Sequence, residues 1–272
     1  MNDEIRKAIF GKPAIAGFLL IILIFQKDLS AQTGWYFNSS VQFSGGNYIF
    51  DSYSRVFSIY SGLRYQGENY GVSVSLPLVA NNNNNLSQSG GMMIPFGNDS
   101  GTSNSSMQGS MNLGLGDLYG YFDYRILSEF ENDVDLYFNA QVKIPTSATL
   151  VNIGTGQYDF GASISLRKSF NTFLGVVDIG YLNIGDPSSI SYKNPITYGL
   201  GIGKFFNHGE YSLLLYYTGY TKILDEYDAP QQVSLGGNYR ASETIIVSLI
   251  GSAGIGNFAP DFTLSGRIRI KL

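Results

Sequence analysis

The sequence predicts an all-β protein: a transmembrane, antiparallel, up-and-down β-barrel of about twelve strands. Three observations predict it. Segments with period-two alternation of apolar and polar residues follow one another from Trp35 to the C-terminus. The gaps between them alternate short and long, as tight turns and long loops do on opposite sides of a membrane barrel. A basic and then apolar N-terminal stretch has the pattern of an export signal.

The 272 residues suffice for one large β domain. The chain holds 33 Gly, 20 Tyr and 18 Phe, and only 14% of its residues are charged, low for a soluble protein. Mean hydropathy is +0.01. Membrane barrels average out this way because lipid-facing and lumen-facing residues cancel. There is no Cys, so neither disulfides nor thiolate metal sites are available. A net charge of −4 argues against nucleic acid as a partner.

Residues 1–31 read as a cleaved signal peptide and 32–272 as the barrel. Arg6, Lys7 and Lys12 form the basic region, and Ala14 to Phe25 the apolar region. Ser30-Ala31 offers the cleavage site, although Leu29 departs from the small residue favoured there. The apolar region is too short to span ~30 Å of hydrocarbon, and no later stretch reaches the ~18 apolar residues of a transmembrane helix.

The strands follow in order. Strand one covers Trp35 to Phe43, two Arg55 to Tyr65, three Tyr70 to Ala80, and four Asp117 to Leu127. Five covers Val134 to Ile144, six Tyr158 to Lys168, seven Thr172 to Ile184, and eight Ile196 to Phe206. Nine covers Tyr211 to Thr221, ten Gln231 to Arg240, eleven Thr244 to Gly251, and twelve Asp261 to Leu272. Most have the ~9–11 residues a tilted strand needs to cross a bilayer. Strand five alternates cleanly, with Val134, Leu136, Phe138, Ala140, Val142 and Ile144 on one face and Asp135, Tyr137, Asn139, Gln141 and Lys143 on the other. Strands six and twelve alternate in the same way. Pro77 interrupts strand three, since it cannot donate a ladder hydrogen bond, and implies a bulge or an earlier end there. Strands nine and eleven are apolar on both faces, so part of the lumen wall is expected to be apolar.

Gaps after odd strands are long and gaps after even strands are short. Both termini then lie on the short-turn side, which is periplasmic in bacterial barrels. An even count closes the barrel and leaves no exposed edge. The longest gap, Asn81 to Gly116, opens with five Asn and carries Met92-Met93-Ile94-Pro95-Phe96. Its composition is that of a low-complexity surface loop. The alternative is a loop folded into the mouth, its apolar patch gating the pore.

The middle of the chain carries a set of motifs. Gly114-Leu115-Gly116-Asp117 leads into strand four, Val142-Lys143-Ile144-Pro145-Thr146-Ser147 ends strand five, and Ile153-Gly154-Thr155-Gly156-Gln157-Tyr158-Asp159-Phe160 opens strand six. Gly180-Tyr181 follows in strand seven. The set resembles the outer-membrane transporter-like family named for phenol degradation by the meta pathway. The resemblance covers roughly residues 112 to 206, with Ser147 standing where that family usually has Gly. It implies an outer-membrane barrel that passes small, often hydrophobic or aromatic compounds. It is also similar in spirit to fatty-acid transporter barrels, but their N-terminal plug is not expected here, because strand one begins close to the cleavage site.

His208 is the only His, in the short turn Asn207-His208-Gly209-Glu210. Outer-membrane hydrolases need a His base toward the outer side, so enzymatic activity is not expected. No metal or cofactor is expected either, although Asp225-Glu226-Tyr227-Asp228 holds oxygen ligands of the kind Ca²⁺ takes. Arg64, Asp123, Arg125, Asp135, Lys143, Arg167, Asp178, Arg240, Arg267, Arg269 and Lys271 alternate onto the lumen side. Two roles compete for them: cross-barrel ion pairs that fill a narrow lumen, which is favoured, and a lining that orients polar groups of a solute. Aromatics recur near strand ends. Trp35, Tyr36, Phe37, Phe170, Phe173, Phe205, Phe206, Tyr211 and Tyr239 lie toward the short turns, and Tyr181, Tyr198, Tyr216, Tyr217 and Tyr220 lie further along. They read as interfacial girdles, or as a lumen-facing slide for aromatic solutes.

The function these readings support is a monomeric, lipid-embedded outer-membrane channel for passive passage of small, hydrophobic or aromatic solutes. The alternative is a surface or structural barrel that acts through its loops without transport.

Overall fold

Alternation forces each strand to bury one face and offer the other to lipid, and closure is the arrangement that satisfies every backbone group in hydrocarbon. The computed structural model describes residues 33–48, 50, 53–83, 86–89, 92–95, 111–147, 154–187, 190–256 and 258–272. The 1–31 segment read as a signal peptide lies outside them.

The strands are β1 (Gly34–Gly46), β2 (Ser54–Gln66), β3 (Tyr70–Asn81), β4 (Leu86–Ser89), β5 (Met92–Pro95), β6 (Asn112–Leu115), β7 (Leu118–Leu127) and β8 (Asp135–Ile144). There follow β9 (Asp159–Phe170), β10 (Phe173–Asn183), β11 (Ile196–Phe206), β12 (Tyr211–Tyr220), β13 (Gln231–Arg240), β14 (Ile245–Ile255) and β15 (Phe262–Lys271). Neighbours in sequence pair antiparallel, and β15 returns to pair with β1, Phe37 opposite Ile270. With β6 and β7 forming one interrupted wall strand, the wall is a closed barrel of twelve strands. The hairpin β4–β5 stands apart from it within the longest loop.

The faces are sharply sorted. On β8, Asp135, Asn139 and Lys143 are buried. On β11, Leu200 is 61% exposed while Gly199 and Gly201 on either side are buried. An apolar residue exposed on the outer face of a closed barrel is a lipid contact, not a defect. Tyr and Phe mark the ends of this band. Trp35 packs edge-on against Tyr65 at 5.3 Å, and Tyr211 stacks on Tyr239 at 5.0 Å. Lys204 lies over the rings of Phe173 and Phe206, a cation held at the short-turn edge by aromatic faces.

Where structure and sequence differ, the reasons are local. Pro77 neither ends nor bulges β3, which runs on to Asn81 and pairs with β2, Pro77 opposite Tyr60. The irregularity lies across from it. β3 pairs Ser75 with Tyr119 of β7 and Leu78 with Leu115 of β6, so one extra residue is accommodated at Gly116-Asp117. The neighbour bulges where Pro77 has no N–H to give, and the Gly116 N–H donates to the Pro77 carbonyl at 2.8 Å. Strand four therefore starts at Asn112, earlier than expected. β14 runs to Ile255, past the expected end at Gly251, because β13 supplies partners as far as Gln231. The turn after β7 winds into a single helical turn, α1 (Glu129–Asn132).

Candidate functional site in the barrel lumen

The inward faces divide the lumen into two unlike halves. From β10 to β14 it holds an apolar cluster, set among buried Ser212, Thr218, Gln232 and Ser234. Leu174, Val176, Leu214, Tyr216 and Ile250 pack with Tyr60 from β2, and Phe205 joins them. Tyr216 is 1% exposed, and its hydroxyl donates a hydrogen bond to Asp178. The ring lies flat on β11: a Cβ on Gly199 would sit 1.9 Å from the Tyr216 Oη, and one on Gly201 2.5 Å from its ring. The apolar runs of strands nine and eleven thus resolve into lipid-facing Leu213, Leu215, Val247 and Leu249 and lumen-facing Leu214 and Ile250.

The other half is polar and leaves a cavity of about 140 Å³. It is lined by Asn38, Ser40, Ser75, Asn139, Gln141 and Ser163, by Tyr60 and Tyr121, and by Arg64, Arg267 and Arg269. Asn139 is held in place by donating to the Ser165 Oγ at 2.9 Å.

The motifs behind the family resemblance converge at the long-loop end. Lys143 Nζ lies 2.8 Å from Asp159 Oδ2 and 3.7 Å from Asp117 Oδ2, and donates to Thr155 Oγ1 at 2.9 Å. Asp117 accepts from the Ser147 N–H at 3.0 Å, Asp159 from the Gly185 N–H at 2.9 Å, and Thr146 Oγ1 from the Leu118 N–H at 2.9 Å. Lys143 is 2% exposed. The geometry is that of a buried latch tying β6–β7, β8, β9 and the loop after β10 together.

The remaining charged positions fall as follows. Arg64 pairs with Asp123 at 2.8 Å and donates to Gln66. Arg167 lies with its guanidinium 4.1 Å over the Tyr137 ring. Asp135 accepts the Glu129 N–H at 2.8 Å, so it serves α1 at the short-turn rim. Arg125 reaches the same rim, donating to Asn69 Oδ1 at 2.7 Å. Arg240 and Lys271 end their strands at this rim. Arg267 and Arg269 face inward from β15, Arg269 with its guanidinium 5.6 Å from the Tyr36 ring centroid. Arg64, Arg267 and Arg269 are thus brought to one cavity, whereas Lys143, Arg125 and Asp135 are committed elsewhere.

Over the long-loop mouth sit two apolar clusters. Tyr48, Phe50, Val56, Val79 and Leu86 form one, and Leu182, Ile184, Tyr192, Tyr220, Ile223 and Phe258 the other. Burial raises the Tyr48 and Tyr192 hydroxyls above their usual range. Leu86 ties the start of the longest loop down. Met92–Pro95 form β5, and Phe96 lies outside the described residues. The aromatics split between the two readings: Trp35, Phe170, Tyr181, Tyr198 and Tyr239 face outward, and Tyr216 and Tyr220 face the interior. His208 sits in the short turn between β11 and β12 with a left-handed backbone, φ 55°. Asp225 pairs at the surface with Lys193, and no metal-holding group of three carboxylates or His occurs among the described residues.

No protein-family model matches the chain, and no curated protein matches it. Among solved structures it is similar to an outer membrane channel from Pseudomonas putida F1, with a TM-score of 0.62 and 13% identity over 90% of this chain and 98% of that one. It is also similar to the NanC porin, TM-score 0.53 and 10% identity over 88% and 100% of the two chains. The KdgM porin follows, TM-score 0.51 and 6% identity over 87% and 99%. The likeness is one of fold: the chain is built as outer-membrane channels and porins are.

Proposed function

We propose that this barrel is an outer-membrane channel through which a small, apolar or aromatic solute diffuses, working as a monomer surrounded by lipid and without a cofactor. The cavity carries the reading. At about 140 Å³ it is close to the ~150 Å³ of an engineered protein cavity that binds benzene. Tyr60 and Tyr121 line it, among hydroxyls and amides. Such a lining binds weakly enough to release what it admits, as conduction requires. The fold shared with channels and porins and the motif resemblance both support this reading, as does the outward apolar band for the membrane location.

Single-channel recording and liposome swelling on refolded protein test it, with conductance and solute uptake expected. Absence of both would overturn it in favour of a barrel that acts through its surface loops. Within the same reading, the loop bearing Met92 to Phe96 gates the mouth. Deleting residues 92–96 is then expected to raise conductance, and an unchanged conductance would remove the loop from gating.

A further inference from the structure

We infer that the lumen is charged as a bipolar pore, cationic at its short-turn end and anionic at its long-loop end, so that it gathers small anions at the short-turn end and conducts asymmetrically. The inference rests on the channel reading above. It starts from where the inward charges stand along the strands. Arg64, Arg125, Arg167 and Arg240 face inward within three residues of the short-turn ends of β2, β7, β9 and β13. Arg267, Arg269 and Lys271 occupy the same end of β15. Against them the wall sets two carboxylates at this end among the described residues, Asp123 and Asp135. The long-loop end reverses the balance. There Asp117 and Asp159 flank the single cation Lys143, and Asp178 stands at the midpoint of β10.

A sum over all these groups does not depend on which of them pair. Arg64 meets Asp123 at 2.8 Å, and both are counted. Setting Arg267 aside leaves the sign unchanged, with six cations against two carboxylates. The other carboxylates of this side, Glu68, Glu129, Glu131, Asp133, Glu210 and Glu243, belong to the turns beyond the strand ends. In that aqueous rim salt screens a charge over ~8 Å, whereas the low-dielectric wall focuses the field of the lumen charges.

Rings of basic side chains favour anions in a pore. Sorting them to one end adds a direction. When the field drives anions in from the short-turn side, cations enter through the carboxylate end, and both kinds of ion fill the lumen. The opposite polarity draws each kind away from the end that attracts it, and the lumen is depleted of carriers. Charges that only filled the lumen, matched across it at every level, would give neither effect.

The test is the current–voltage curve of single reconstituted barrels in potassium chloride, inserted by adding protein to one side. A larger current is expected when chloride is driven from the short-turn side, with chloride preferred over potassium in a gradient. Arg240→Gln with Arg269→Gln is expected to lower the chloride-to-potassium permeability ratio about tenfold, the factor that ~1.4 kcal/mol gives. Asn38→Asp sets a carboxylate opposite Arg269 with almost no change in size, so it is expected to lower the ratio as well and guards against a folding defect in the double variant. Ser252→Lys places a cation toward the long-loop end of β14, opposite Ser234 and Thr263. It is expected to keep the anion preference and abolish the asymmetry, a split that a general loss of structure does not produce. A symmetric curve for the wild-type protein, or a ratio unmoved by both the Gln pair and Asn38→Asp, overturns the bipolar lumen while the channel stands. Calorimetric titration of inorganic pyrophosphate into the detergent-solubilised barrel separates the two readings. Binding that the Gln pair removes, without any current, overturns the channel and keeps the cationic end, and neither binding nor current overturns both.

Discussion

Lys143 shows what a single residue does here. Its ammonium sits between Asp159 and Asp117 with almost no exposure, at the junction of three wall strands and a loop. Removing one partner of a buried charged group strands the others. Lys143→Met is expected to cost ~3–5 kcal/mol, read as a lowered urea midpoint in detergent. Sequence alternation placed Lys143 inward, but nothing local in the sequence says that it is consumed by a latch. Tyr216 is a second case. Tyr216→Ala empties part of the apolar half of the lumen, so conductance is expected to rise while stability falls by ~3–5 kcal/mol. Tyr216→Phe keeps the ring and loses only its hydrogen bond to Asp178, so conductance is expected to hold. Equal conductance in the wild-type and alanine proteins would show that this side of the lumen is no barrier.

At the scale of elements, alternation makes a quantitative prediction. Leu200 is exposed at the middle of β11, and Ser163 on β9 lines the cavity. Leu200→Arg is expected to cost ~2–4 kcal/mol in lipid vesicles, as a lipid-facing cation does at mid-membrane. Ser163→Arg, on the cavity side of the wall, is expected to cost much less. Similar unfolding midpoints for the two would contradict the assignment of faces. Most strand limits were legible to within a few residues, because period-two patterning and turn residues are local signals. The displaced bulge was not. Pro77 announces that a donor is missing, but whether β3 or its neighbour deforms depends on which strand lies across from it. Gly116 lets the neighbour do so: a Cβ there would come within 2.8 Å of the Pro77 ring. Gly116→Val is therefore expected to lower the unfolding temperature, with β3 itself unchanged in sequence.

For the whole molecule, closure is the governing fact. β15 pairs with β1 along its full length, so the barrel closes and these two strands offer no free edge to a partner. Light scattering in detergent is expected to report a monomer, and mass spectrometry of the mature protein is expected to begin at Gln32. A stable dimer would point to an interface on the lipid face or in the loops. The sequence by itself determined the barrel of about twelve strands, the inward faces of its cleanly alternating strands and the alternation of turns and loops, because each follows from periodicity along the chain. Only the tertiary structure decided what the inward charges do. Arg64, Lys143, Arg267 and Arg269 look alike in sequence. Arg64 meets Asp123, Lys143 meets Asp159 and Asp117, and Arg269 lies against the Tyr36 ring, because strands far apart in sequence meet across a closed lumen, and the partners that fix a buried charge are supplied only by closure.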